Sequence, residues 1–194
     1  MPDRFNKDSH ADINDLQLRI AVYEDESAYK HLFYYLFPSL QNFAFSIVKS
    51  RQVAEEIASD VLIEVWVRRQ KLMEINNLKM YLFTSVKNGA IKKLKQEKKF
   101  AQFSLDDLHI EFVADYCNPE EDLHSSLLEQ ELIKAIDDLP PRCKIIYKLA
   151  KEDKLRYAEI AGLLGISIKT IDSQLSIAVK KIAAAIMMFS KKKN

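Results

Sequence analysis

The residues with chemical promise in this chain are not catalytic acids, bases or nucleophiles but short polar and cationic side chains spaced along one helix. The run Leu155-Arg156-Tyr157-Ala158-Glu159-Ile160-Ala161-Gly162-Leu163-Leu164-Gly165-Ile166-Ser167 has the form of a helix, a tight turn and the start of a second helix. Ile160 and Ala161 bury the first helix, Gly165 takes the left-handed turn position that glycine adopts without a Cβ penalty, and Ser167 caps the second helix. That second helix places Ile168, Ile171, Leu175, Ala178 and Ile182 on its inner stripe and leaves Lys169, Asp172, Ser173, Gln174 and Ser176 outward. Such a helix can lie in a DNA major groove, where Gln and hydroxyls meet base edges while Lys neutralises phosphates. A plain helical hairpin with a solvated outer face would share the turn and the cap. The combination of Tyr-Ala-Glu-Ile-Ala, the Gly turn, the Ser cap and the following Thr170-Ile171 favours DNA.

Other chemistries find no support. The four histidines, His10, His31, His109 and His124, form no H-E-x-x-H pair, and His109-x-Glu111 lacks the downstream cysteines of a deaminase. Cys117 and Cys143 make no C-x-x-C pair, so neither a zinc site nor a disulfide framework is expected. Three glycines are too few for a Gly-rich phosphate cradle. The chain is therefore read as a non-enzyme with no cofactor, no metal and no small-molecule substrate.

The elements that must position the motif are helices. With 194 residues, 48% of them hydrophobic and 29% charged, the chain can bury a core, and the turn punctuation of a β protein is missing. Ala28, Leu32, Tyr35, Leu36, Phe43 and Ile47 recur at near-helical spacing, as do Val53, Ile57, Val61, Val65 and Trp66. From Leu78 to Lys98, Leu82, Phe83, Val86, Ala90 and Leu94 share one arc, and Tyr81, Thr84, Asn88, Lys92 and Lys95 share another. Residues 100–123 lose this periodicity and carry seven acids with Asn118-Pro119, the composition of a linker. A helix resumes around Leu127, Leu128, Leu132 and Ile136 and is stopped by Pro140-Pro141. The longest apolar run, Ile182 to Phe189, is too short for a membrane span, and residues 1–15 lack the apolar stretch of a signal peptide, so the cytoplasm is expected.

A formal net charge of +1 would argue against nucleic acid, but the average hides a strong asymmetry. Residues 1–86 carry −2, 87–105 carry +5, 106–138 carry −10 and 139–194 carry +8. Two basic blocks thus flank one acidic stretch, and the second contains the helix-turn-helix.

Several segments together resemble the extracytoplasmic-function (ECF) sigma factors of bacterial RNA polymerase. Asp138-Leu139-Pro140-Pro141-Arg142, the helix-turn-helix and Ala178-Val179-Lys180-Lys181-Ile182 look like sigma region four. Ala54-Glu55-Glu56-Ile57-Ala58-Ser59-Asp60-Val61-Leu62-Ile63-Glu64-Val65-Trp66 looks like the polymerase-binding helix of region two, with Ser59 where Gln is usual. Met80-Tyr81-Leu82-Phe83-Thr84-Ser85-Val86-Lys87-Asn88-Gly89-Ala90-Ile91 looks like that region's promoter-melting helix. The resemblance implies an all-α fold of two small helical domains, a region two bundle and a region four helix-turn-helix, joined by an acidic linker. Its boundaries are an N-terminal extension at 1–25, region two at 26–99, the linker at 100–126, region four at 127–187 and a basic tail at 188–194.

The resemblance also supplies roles. Region two is expected to open the minus-ten element and hold an unstacked base beside the loop Glu74-Ile75-Asn76-Asn77, with Asn76, Asn77, Tyr81, Thr84, Asn88, Lys92 and Lys95 as DNA contacts. Region four is expected to read the minus-thirty-five element through Arg156, Ser167, Lys169, Thr170, Asp172, Ser173, Gln174, Ser176 and Lys180. Its outward face carries Asp172, Ser173, Gln174 and Ser176 where relatives often carry arginine, so their promoter sequences do not transfer. Core polymerase is expected on Glu55, Glu56, Asp60 and Glu64, with Leu62 as the apolar contact. An anti-sigma factor, often membrane-anchored, is implied as a further partner. The acidic linker could enter the polymerase's RNA path as a phosphate mimic or serve as a solvated tether. The rival reading is a stand-alone helix-turn-helix regulator that binds DNA as a dimer.

Overall fold

A computed structural model describes residues 12–96 and 127–193, and every regular element among them is helical. Residues 97–126, including all of the expected linker, lie outside the described residues. Contacts divide the chain into two compact units whose boundary falls inside helices: residues up to Ala44 with Ser50–Ala90, and Phe45–Lys49 with the residues from Ile91 on.

The first unit begins inside the segment read from sequence as an extension. Helix α1, Ile13–Tyr23, is capped by Asp12, whose carboxylate accepts from the Asn14 N–H at 2.9 Å, and it ends where Glu24 turns left-handed at φ 50°. Asp25 starts the next helix, accepting from the N–H groups of Ser27 and Ala28 at 2.8 and 3.0 Å while Arg19 donates to its other oxygen at 2.7 Å. Helix α2, Glu26–Val48, buries Ala28, Leu32, Leu36, Leu40 and Ala44 at strict four-residue steps. Tyr35, placed on that stripe from sequence, is instead exposed, with the Lys79 ammonium 5.9 Å from its ring centroid. One position before Leu36 means about 100° round the helix, far enough to leave the core.

Helix α3, Arg51–Val67, buries Ala54, Ile57, Ala58, Leu62 and Val65. A short 3-10 segment, Arg69–Glu74, leads to helix α4, Leu78–Gln96. On α4, Leu82, Phe83, Val86, Ala90 and Leu94 are buried as the periodicity predicts, and Phe83 meets Phe43 edge to face at 5.4 Å. Gly89 lets α4 approach α3 closely, since a Cβ there would stand 3.2 Å from Ile57 Cγ2. Each fully buried Leu or Phe contributes about 1.5–3 kcal/mol, so this stripe fixes how the faces of α3 and α4 point outward.

The second unit contains α5 (Leu127–Asp137), α6 (Pro141–Tyr147), a π-helical continuation (Lys148–Glu152), α7 (Tyr157–Leu164) and α8 (Ile168–Lys193). Pro141 opens α6 in its first turn, where the missing N–H is harmless. Ala135, Leu139, Cys143, Ala178 and Ile182 form a core on which Leu132, Ile136, Tyr147, Ala185 and Ile186 also pack. Lys144, only 7% exposed, is paired with Asp137 at 2.6 Å. Among the described residues, α8 is long and apolar enough over Ile168–Lys191 to match a membrane span by composition. Its buried residues Ile171, Leu175, Ala178 and Ile182 serve the unit's own core, and its outer face carries Lys169, Asp172, Lys180 and Lys181.

Candidate nucleic-acid and partner interfaces

In the second unit the turn between α7 and α8 is built as its residue types require. Gly165 has φ 67° and its N–H reaches the Ala161 carbonyl. Ser167 Oγ accepts from the Thr170 N–H at 3.0 Å, and its hydroxyl lies 2.8 Å from Thr170 Oγ1. At the start of α7, the Glu159 carboxylate accepts from the Arg156 N–H at 2.7 Å and pairs with its guanidinium at 2.7 Å. That bond to Glu159 raises the Arg156 pKa further, so its charge is permanent.

The outward face of α8 carries Lys169, Asp172, Ser173, Ser176 and Lys180, all exposed, and Thr170 is half-buried. The Ser173 hydroxyl donates to the Thr170 carbonyl at 2.9 Å, which holds its oxygen toward the helix start. Two residues correct the sequence reading. Gln174 does not point outward, because its Oε1 accepts from Cys143 Sγ at 2.9 Å and the side chain is half-buried. It therefore locks α8 to α6 rather than facing a base. Ile168, placed on the inner stripe, is 49% exposed at the first position of α8. Burial raises the pKa of the Cys143 thiol despite Lys181 and Arg142, so it stays protonated and suited to donate to Gln174.

Beside this face opens a cleft of about 370 Å³ lined by Lys151, Tyr157, Asp172, Ser176, Val179 and Lys180, among others. Sequence reasoning named no role for Lys151 or Tyr157. Tyr157 stood within the motif, whereas Lys151 reaches the cleft only through the π-helical continuation, which no spacing rule announces. Two lysines and a phenol beside one exposed helix face suit a phosphate backbone.

Tyr81, Asn88, Lys92 and Lys95 are exposed along one side of α4, as the periodicity predicts. Thr84 lies on the same side but is half-buried, its hydroxyl donating to the Met80 carbonyl at 2.8 Å. Asn77 is exposed, and its Oδ1 accepts from the Met80 N–H at 3.0 Å, capping α4. Asn76 is exposed at the preceding position. A phenol, a carboxamide and two ammonium groups at helical spacing can stack on bases and follow a single-strand backbone.

On α3, Glu55, Glu56 and Asp60 are exposed, while Glu64 is half-buried and ion-paired with Arg68. Leu62 corrects the sequence reading outright. It is fully buried in the core and offers no surface to a partner. The exposed apolar residues on this helix are Ile63 and Val67, 50% and 63% accessible, flanked by Glu56 and Asp60. A helical wheel would have found them, because Leu62 falls on the arc of Ala54, Ala58 and Val65 while Ile63 falls opposite.

Comparison with known proteins finds two family matches along the chain. Residues 32–100 match the family described as Sigma-70 region 2, and residues 129–182 match Sigma-70, region 4. Over 181 residues the chain is 25% identical to the ECF RNA polymerase sigma factor RpoE of Cereibacter sphaeroides, covering 91% of this chain and 96% of that one. It is 28% identical over 137 residues to the RNA polymerase sigma factor SigV of Bacillus subtilis, covering 71% and 78%. Among solved structures it resembles the sigma factor RpoE in the co-crystal with the anti-sigma factor NepR from Bartonella quintana, with TM-score 0.52, 23% identity, and 81% and 96% coverage.

Proposed function

We propose that this chain, which belongs to the ECF sigma factors of bacterial RNA polymerase, binds the core enzyme and directs promoter recognition, DNA melting and the start of transcription. The observation that carries this reading is the presence in one chain of two compact helical units, each with its own cationic or polar face. The α8 face with Lys151 and Tyr157 takes the minus-thirty-five duplex. The α4 face and the Asn76-Asn77 loop take the opened minus-ten strand, where positive charge and stacking offset the cost of unstacking a base. Ile63 and Val67, with Glu56 and Asp60 on the same side of α3 and Glu55 near the helix start, form the core polymerase contact in place of Leu62. The family's activity is promoter selection rather than catalysis, and it acts on cytoplasmic polymerase, where we place this chain.

Anti-sigma control is part of the proposal. It is supported by the family resemblance and by a structural neighbour solved as a sigma factor with its anti-sigma factor. In vitro transcription with purified core polymerase, with and without this chain, tests the function. Initiation from a defined start site only when both are present is the expected result. A protected DNA site formed by the chain alone, with no initiation at any promoter, would establish the stand-alone regulator instead.

A further inference from the structure

Gln17 lies on α1, ahead of the stretch that matches the region 2 family, and it is only 6% exposed. Its Nε2 donates to the Leu72 carbonyl at 2.6 Å and to the Ile75 carbonyl at 2.8 Å. A side-chain amide has two N–H donors, and here both hold the backbone of one four-residue stretch. The Leu72 carbonyl also accepts from the Ile75 N–H at 3.0 Å, so the amide sits on the turn that ends the 3-10 segment. Two residues beyond Ile75, the cap from Asn77 to Met80 fixes the start of α4. Asn76, exposed, stands between these two anchors.

α1 is itself held in register. Leu16 and Ile20 are buried on either side of Gln17, and Arg19 ties the helix to Asp25. Glu24, just past its end, pairs with Arg69 at 3.1 Å, and the Arg69 guanidinium lies 4.9 Å from the Trp66 ring centroid. If α1 needed only to cover the segment, an apolar side chain would do so without burying an amide. A buried amide is favourable only where its donors are met, and these are met by the backbone that presents Asn76.

We propose that Gln17 is a positioning residue for base selection. Through the Leu72 and Ile75 carbonyls it sets the path of the loop that walls the pocket for the unstacked minus-ten base, without touching DNA itself. The inference rests on the reading of residues 74–77 as that wall.

The test compares wild type and Gln17→Met as holoenzymes with the same core polymerase. The template is a promoter selected with the wild-type holoenzyme, with each minus-ten position substituted in turn. Wild type is expected to lose about tenfold in initiation at one or more unpaired positions. If wild type discriminates at none, the loop reading fails, and Gln17 falls with it. Where wild type discriminates, Gln17→Met is expected to bring that ratio within about threefold of unity. The core concentration for half-maximal activity and the penalty for a minus-thirty-five substitution should stay at wild-type values. An unchanged ratio overturns the proposal, and so does an equal decline in all three readouts, which would make α1 a scaffold only. Should Gln17→Met unfold, Gln17→His, whose ring N–H can still meet one carbonyl, is expected to discriminate between the wild-type ratio and unity. A wild-type ratio in that variant, or no loss of ratio beyond a general loss of activity, overturns the proposal.

Discussion

Two neighbouring residues on α3 show how position on a helix separates stability from recognition. Leu62→Ala removes a fully buried side chain and should lower stability by about 2–5 kcal/mol in urea unfolding. Ile63→Lys should leave unfolding within about 0.5 kcal/mol of wild type yet weaken core polymerase binding, measured by competition with a labelled sigma factor. Equal binding by Ile63→Lys would remove this face from the polymerase contact. Asp25 offers a pH signature. The Arg19 hydrogen bond, followed by the backbone bond from Ala28, holds its carboxyl below the usual carboxylate range. A depressed folded pKa contributes stability above the unfolded value near about 4 and loses it as pH falls through the folded value. The melting temperature of Asp25→Ala should therefore lie below wild type at pH 7, and the gap should narrow on acidification below pH of about 4. A gap constant down to acid pH would exclude the charged form of Asp25 as its source.

At the scale of elements, the turn and the groove helix are separable. Gly165→Ala forces a Cβ into φ 67° and should cost about 1–2 kcal/mol, whereas Gly162→Ala, with nothing within 4 Å of the new Cβ, should be neutral or stabilising by up to about 1 kcal/mol. Urea unfolding of the two variants checks this, and equal costs would refute the left-handed assignment. On α8, Lys169→Ala and Lys180→Ala should each reduce the slope of log binding against log salt by about 1 in holoenzyme binding to duplex promoter DNA. Unchanged slopes would place both ammonium groups off the phosphates. Gln174→Ala should instead act through α6 and α8 packing, since its partner is Cys143 and not solvent. It is expected to lower stability without altering base preference.

At the scale of the whole molecule, the charge pattern and the two matched regions call for a protein that works with a partner, so DNA binding should depend on core polymerase. A mobility-shift assay with promoter DNA is expected to show a stable complex only when the core enzyme is added, and a tight complex of the chain alone would contradict that. Helix identity, the Gly165 turn, the Ser167 cap and the cationic side of α4 were all legible in the sequence, because glycine's freedom, a hydroxyl cap and a 3.6-residue period are local properties. Proline at 140 and 141 likewise marked a break that the backbone could not avoid. The burial of Leu62 was legible on the helical wheel of α3, whereas Ile168, Gln174 and Gln17 were not legible, for one physical reason. Whether a side chain on a helix faces solvent, a core or another backbone depends on what that helix packs against. Gln17 looks like any surface glutamine until the carbonyls of Leu72 and Ile75, more than fifty residues away, are brought to its amide. The sequence by itself determined the elements and their chemistry, while the tertiary structure decided which residues are surface and which hold the surface in place.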